Sequence, residues 1–116
     1  MQFQKTKREA YLNFLHSKYE SLKGEVLVKS LPYYMGIDQT SICQLRCPLC
    51  PTGFENESHR LGDKISLRNR VMMEVDLFSS LIDELGENLF LIMFYNWGEP
   101  LLNKNLPAYI RKAKTF

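Results

Sequence analysis

Three cysteines lie close together in the sequence, at a spacing that suits a metal site. Cys43, Cys47 and Cys50 form a C-x3-C-x2-C pattern within the segment CQLRCPLC. Thiolates at this spacing can ligate one metal centre from a single loop, and the intervening backbone N–H groups can point at sulfur and lower its charge. Three is an odd number and far below the density of a disulfide scaffold, so disulfide pairing does not account for these residues.

The number of ligands separates the candidate metals. A structural zinc site is normally closed by a fourth Cys or His, and His59 lies in the same segment of the chain. An iron–sulfur cubane held by three cysteines instead leaves one iron free to bind something else. The spacing favours the iron–sulfur centre, with zinc and simply buried thiols as the alternatives.

Two predicted strands lead into the segments that could do chemistry. Residues 33–40 (YYMGIDQT) alternate as a strand does and precede the cysteines, and residues 89–95 (LFLIMFY) form a continuous apolar run. Such a run is typical of a parallel strand that is buried on both faces. Residues 41–70 show no helical or strand period, and connections of this length are usually functional or ordered by something bound.

Three further segments are predicted to be helices. Residues 7–23 should pack as a helix on the outside of the domain, because five apolar side chains recur there at helical spacing: Tyr11, Leu12, Leu15, Tyr19 and Leu22. Residues 76–85 and 106–114 follow as amphipathic helices, with Pro107 tolerated in the first turn of the last one. From residue 33 the order is therefore strand, loop, helix, strand, loop, helix, which is two βα units of a parallel α/β fold.

The domain organisation follows from these elements. Residues 1–32 are interpreted as an N-terminal helical extension, and residues 33–116 as two βα units. Two strands do not make a stable parallel sheet, since parallel strands need both faces covered and their edges paired. Either the chain is the N-terminal part of a larger protein, which is the favoured expectation, or it completes its sheet with another molecule.

Composition restricts the classes of protein to which the chain could belong. It has 116 residues, of which 45% are hydrophobic and 24% charged, with a formal net charge of +2, as in an ordinary soluble globular protein. No run reaches the roughly 18–20 apolar residues of a membrane span, so no membrane partner is expected. The basic N-terminus lacks the apolar core of a signal peptide, which predicts a cytoplasmic location. A charge of +2 is too small to indicate nucleic-acid binding.

The cysteine motif and a second loop together resemble the signatures of the radical S-adenosylmethionine (SAM) superfamily. The first signature is the C-x3-C-x2-C loop after the first strand. The second is a Gly-Gly-Glu-Pro-like loop after the second strand, which in this chain is Trp97-Gly98-Glu99-Pro100. Trp97 stands where the family has its first Gly, a variant associated with members that carry a C-terminal SPASM-type extension. The resemblance covers residues 34–116.

The resemblance implies a fold and a set of ligands. The fold would be α/β, the N-terminal portion of a partial (β/α)6 TIM-like barrel of parallel strands. The three cysteines would bind a four-iron–four-sulfur (4Fe-4S) cluster, whose open iron SAM chelates through its amino and carboxylate groups. The loop from Trp97 to Pro100, including Gly98 and Glu99, would meet the SAM amino group. Leu49, where the family often has an aromatic residue, would lie near the adenine.

The resemblance also implies an activity. The reduced cluster would cleave SAM reductively to a 5′-deoxyadenosyl radical that abstracts hydrogen from a substrate, with no catalytic side chain assigned beyond the cluster ligands. The electron would come from a donor such as a flavodoxin or ferredoxin. The substrate cannot be derived from these residues; peptide or protein modification is an analogy with SPASM-type relatives.

Two other functions are compatible with the same residues. One is a zinc-binding structural module, with Cys43, Cys47, Cys50 and His59 as ligands, that presents a basic C-terminal helix to nucleic acid; the basic residues are Lys104, Arg111, Lys112 and Lys114. The other is an inactive, truncated remnant of a radical SAM enzyme.

Overall fold

The computed structural model describes residues 5–63, 65, 66 and 69–116. In chain order the elements are α1 (Lys5–Lys23), β1 (Tyr34–Gly36), α2 (Pro51–Arg60), α3 (Val75–Leu85), a 3-10 turn (Gly86–Asn88), β2 (Leu91–Met93), a second 3-10 turn (Pro100–Leu102) and α4 (Leu106–Ala113). None of the helices within the described ranges combines the length and the apolar character that crossing a membrane requires.

The two strands form a small parallel sheet, as predicted. Tyr34 lies opposite Leu91 and Gly36 opposite Met93, and the Ile37 N–H extends the ladder by donating to the Met93 carbonyl at 2.9 Å. Both strands are shorter than the predicted ranges 33–40 and 89–95. The architecture is thus a mixed one, in which helices accompany a two-stranded parallel sheet.

Residues 89–95 are predicted to be buried on both faces, and this prediction is wrong for the structure described here. Phe90, Leu91 and Tyr95 are each about half exposed. A strand with one neighbour keeps one edge and part of one face open, and an apolar sequence cannot cover them by itself.

The core lies where α3 and α4 meet the sheet. It contains Ile37, Phe78, Ile82 and Tyr109. The Phe78 ring lies 4.7 Å from that of Tyr109 and 5.7 Å from that of Phe94, measured between centroids. The Tyr109 hydroxyl donates to the Met73 carbonyl at 2.5 Å, which satisfies the one polar group that α4 inserts here. These contacts hold α3 and α4 against the sheet.

Helix α2 corrects the prediction that residues 41–70 have no regular structure. Pro51 stands at its start, where a missing N–H costs nothing. Its buried face consists of small or polar residues, Thr52, Gly53, Glu55 and Ser58. An apolar stripe is the usual sign of an amphipathic helix, and α2 does not have one, so its period is not visible in the sequence.

Helix α1 packs on the domain through a different face from the one the sequence suggested. Phe14 stacks on Phe90 with ring centroids 5.0 Å apart and meets Tyr33 edge-on at 5.2 Å. The Asn13 amide donates to the carbonyls of Leu31 and Asn88, both at 3.0 Å. The predicted apolar stripe, by contrast, is exposed at all five positions: Tyr11, Leu12, Leu15, Tyr19 and Leu22.

Glu20 connects the end of α1 to the segment that leads into β1. Gly24, at a φ of 68° that favours glycine, ends the helix. The chain then turns back, and the Glu20 carboxylate accepts the N–H groups of Lys29 at 2.6 Å and Ser30 at 3.1 Å. Hydrogen bonds from the Ser30 side chain and the Lys29 backbone hold the pKa of Glu20 below its ordinary value, with His16 adding a smaller electrostatic contribution.

We expect this contact to make stability depend on pH in the acidic range. Because the pKa of Glu20 is lower in the folded chain than in the unfolded one, its contribution is present above the unfolded value of about 4.3 and is lost as the pH falls through the folded value. Thermal unfolding followed between neutral and acidic pH is expected to show less dependence for Glu20→Gln than for the wild type. Glu84→Gln, at an exposed carboxylate on α3, is the control and should follow the wild type. Identical curves for Glu20→Gln and the wild type would contradict this account.

Candidate functional site

The three cysteines lie on one loop between β1 and α2, and none of them forms a disulfide. Cys43 and Cys50 are half-buried and Cys47 is exposed. Cys50 stands directly before α2, its N–H donating to the Cys47 carbonyl at 3.3 Å and its carbonyl accepting from the Phe54 N–H at 2.8 Å. The second and third cysteines are therefore joined by a tight turn at the start of the helix.

Leu49 occupies the strained position of this turn. Its φ of 66° lies in the left-handed region, which costs a leucine on the order of 1 kcal/mol, and its side chain is fully exposed. Backbone strain of this kind persists only where the surroundings impose it, and it concentrates at functional sites. An apolar side chain between two thiols is thereby held out of the protein interior.

Helix α2 holds the backbone of the cysteine loop. Gly53 approaches Cys47 so closely that a Cβ atom on Gly53 would lie 2.3 Å from the Cys47 carbonyl oxygen. The Asn56 amide donates to the carbonyls of Cys43 at 2.8 Å and Leu45 at 2.7 Å, while the Arg70 guanidinium donates to the Asn56 oxygen at 2.7 Å. The loop is thus fixed at both its first and its second cysteine.

The outer rim of the loop carries an exposed group of charges. The Arg46 Nε lies 3.5 Å from Glu57, and the Arg60 Nε donates to both Glu57 oxygens at 3.0 Å. The hydrogen bond from Arg60, with the charges of Arg60 and Arg46, lowers the pKa of Glu57. These pairs are solvated and contribute little to stability, but they direct the Arg46 side chain towards α2.

The second motif loop contacts the chain immediately before the cysteines. Gly98 lies so close to Thr40 that a Cβ atom on Gly98 would be 1.8 Å from the Thr40 carbonyl oxygen. The next N–H, that of Glu99, donates to the Ile42 carbonyl at 2.9 Å. The structure therefore brings the two motifs together by backbone contacts, at the ends of two adjacent parallel strands, where α/β folds bind their ligands.

The remaining members of this loop have local roles. The Glu99 carboxylate accepts the Leu101 N–H at 3.1 Å and so caps the 3-10 turn that begins at Pro100. The Glu99 side chain therefore helps to hold the loop in its conformation. Trp97 is about half exposed.

Sequence reasoning missed several residues that fix these two loops. Asn56 and Gly53 carried no visible signal, because their partners are backbone atoms of a loop. Asn103, which is buried, donates to the Gln39 carbonyl at 3.0 Å and accepts the Asn105 N–H at 2.9 Å. Asn103 thereby connects the start of α4 to the segment that follows β1. The only sequence signal of a turn here is Pro107, four residues after Asn103.

The inner face of α2 contains polar atoms that need partners. The Thr52 hydroxyl and one oxygen of Glu55 are buried and make no hydrogen bond to the protein within the described ranges, and the same holds for the Gln39 amide. Buried polar groups are nearly always satisfied, by protein, water or ligand. Polar ligand atoms or ordered water would satisfy these groups.

The loop fits a metal centre in its chemistry, although its side chains are not gathered around one point. Among the residues that the structure describes, no three His, Cys, Asp or Glu side chains are grouped so that they could hold a metal ion. The donor set is nevertheless three thiols on one loop, and the Leu45 N–H already donates to the Cys43 sulfur at 3.3 Å. N–H groups directed at thiolate sulfur are the usual surroundings of iron–sulfur clusters. Loading such a centre needs the sulfurs to turn towards one another on a backbone that α2 already holds.

The chain matches no protein-family model, no curated protein and no solved structure.

Proposed function

We propose that this chain carries the cluster-binding loop and part of the SAM-binding surface of a radical SAM enzyme. The observation that carries the proposal is the contact between the two motif loops. Gly98 packs on the Thr40 backbone and the Glu99 N–H is bonded to the Ile42 carbonyl, one residue before Cys43. A ligand that bridges a metal at the cysteine loop and the backbone of residues 97–100 would need this adjacency.

Each motif residue has a role in the proposal. Cys43, Cys47 and Cys50 would hold a 4Fe-4S cluster, and the backbone from Trp97 to Pro100 would bind the SAM amino group. When bound, the cluster would supply the electron that cleaves a C–S bond of SAM, giving methionine and a 5′-deoxyadenosyl radical that would abstract hydrogen from the substrate. Leu49, with its exposed side chain, would pack on the adenine, and α2 would keep the loop in register.

The proposed fold is the beginning of a partial (β/α)6 barrel. Two parallel strands in register, with α3 and α4 packed beside them, are compatible with its first two βα units. An apolar cleft of about 840 Å³ runs along β2, between α4 and the first turns of α1. A further parallel strand beside β2 would fill part of this cleft. The same proposal places the protein in the reducing cytoplasm, with a flavodoxin or ferredoxin as electron donor.

Anaerobic reconstitution of the full-length protein with iron and sulfide tests the proposal. We expect about four irons per chain and, after addition of SAM and a strong reductant, formation of 5′-deoxyadenosine. Cys43→Ala should lose both. His59→Ala is the matched control, because His59 is exposed near the end of α2 and is a ligand only if the site binds zinc. Stoichiometric zinc that depends on His59, with no iron bound, would overturn the proposal and favour a zinc module.

A further inference from the structure

Helix α1 has an exposed apolar face that plays no part in the proposed function. Leu12, Leu15, Tyr19 and Leu22 all lie on it, and Leu22 is 88% exposed. The helix packs on the domain through Ala10, Asn13, Phe14 and Glu20 instead. Contiguous apolar side chains on a surface, rimmed by charge, indicate an interaction site.

The spacing of these residues is that of a surface that packs against a second helix. They are separated by three, four and three positions, which is the a/d spacing of a helical seam that packs against a second helix. Directly after the helix, Val26 and Leu27 are also exposed, Val26 at 92%. The surface is therefore long and narrow, as a helix–helix interface is, and does not have the shape of a pocket.

The charges beside the seam indicate a partner helix that runs in the opposite direction. Glu9 and Lys23 lie along the same border of the seam, one near each end of the helix, and the Lys23 Nζ lies 5.7 Å from the Tyr19 ring centroid. In an antiparallel pair of identical helices, Leu12 faces Leu22 of the second copy and Leu15 faces Tyr19. Residues on this border then meet in e–e′ fashion, which places Glu9 opposite Lys23 of the second copy, twice by symmetry.

A parallel pair would instead set Lys23 against Lys18 of the second copy in e–g′ fashion, twice by symmetry, which is repulsive. We propose that the exposed seam of α1, Leu12, Leu15, Tyr19 and Leu22, is a homodimer interface that pairs two copies of this protein through antiparallel α1 helices.

The mass of the purified full-length protein tests this inference, which does not depend on any cofactor. Sedimentation velocity and light scattering are expected to give twice the monomer mass, with dissociation on dilution. Leu15→Glu is expected to weaken the dimer at least about a hundredfold, because it places a charge at the centre of the seam. Leu61→Glu, at an exposed leucine after α2, is the matched control and should remain dimeric. Circular dichroism confirms that both variants stay folded.

Charge reversal tests the direction of the helices. Glu9→Lys and Lys23→Glu are each expected to weaken the dimer about tenfold, and the double variant should restore it, because the pairs are then formed with reversed sign. A monomeric wild-type protein, an unaffected Leu15→Glu dimer or a double variant that stays weak would each overturn the proposal.

Discussion

Replacing Gly98 by alanine is expected to separate the two motif loops. The added Cβ would lie 1.8 Å from the Thr40 carbonyl oxygen and 2.7 Å from its carbonyl carbon. Both are backbone atoms, so no side-chain rotation relieves the overlap. The loop from Trp97 to Pro100 must then move away, which breaks the bond from the Glu99 N–H to the Ile42 carbonyl. We expect a loss of about 3 kcal/mol in the free energy of unfolding and the loss of SAM-dependent 5′-deoxyadenosine formation.

Iron content separates these two effects in the Gly98→Ala protein. The cysteine loop is held by α2, through Gly53 and Asn56, and not by Gly98. The variant is therefore expected to bind iron while losing affinity for SAM, as measured by calorimetry on the reconstituted protein. Gly24→Ala is the control, since its Cβ meets open space and its φ of 68° costs about 1 kcal/mol at a site remote from both loops. A Gly98→Ala protein as stable as Gly24→Ala, with SAM binding intact, would contradict the contact.

The elements whose packing is signalled by local sequence were predictable. Helices α3 and α4 were predicted within one residue of their observed bounds, because each carries an apolar stripe that meets the sheet. The parallel pairing of the strands also followed from the sequence, since a helix intervenes between them. The order of the motifs placed both loops at the same ends of adjacent strands. Their proximity is a consequence of that order.

The elements held by non-local contacts were not predictable. Helix α2 buries small or polar residues, and its Gly53 and Asn56 contact the backbone of the preceding loop. Helices are recognised in a sequence by the period of their apolar side chains. A helix stabilised by close backbone approach and by the Asn56 hydrogen bonds has no such period and is missed. The positions of the loop carbonyls that accept those bonds are not encoded in any short pattern.

Helix α1 is the opposite case: its helical period is visible in the sequence, but the face that packs on the domain is not. Its apolar period predicts a helix whose stripe faces the domain, because apolar faces are usually buried. The domain side is instead occupied by Phe14, which stacks on Phe90, and by hydrogen bonds from Asn13 and to Glu20. A sequence identifies an apolar face, but it does not specify whether the same domain or a second molecule covers it.

Phe78→Ala is expected to have the largest effect on stability of any single truncation in the core. Phe78 is fully buried, and its ring joins three elements through contacts with Tyr109 on α4 and Phe94 after β2. Removing a buried phenylalanine side chain costs about 3–5 kcal/mol, part of it from the cavity left behind. Ile37, Ile82 and Tyr109 share the buried cluster with Phe78, and partly buried apolar side chains such as Phe94 pack around it. Domains of this size are stable by about 5–15 kcal/mol, and the loss is therefore a large part of the total.

The adjacent position on the same helix provides the control for Phe78→Ala. Leu77 is 54% exposed. Leu77→Ala also removes an apolar side chain, and Leu and Ala are both good helix formers, so we expect the free energy of unfolding to fall by less than about 1 kcal/mol. Urea denaturation of both variants measures the difference, and equal losses would show that the core does not centre on Phe78. Because Phe94 lies three residues before Trp97, the Phe78 ring also supports the strand end from which the second motif loop departs. Phe78→Ala is thus expected to reduce SAM affinity in addition to stability, whereas Leu77→Ala should leave SAM affinity unchanged.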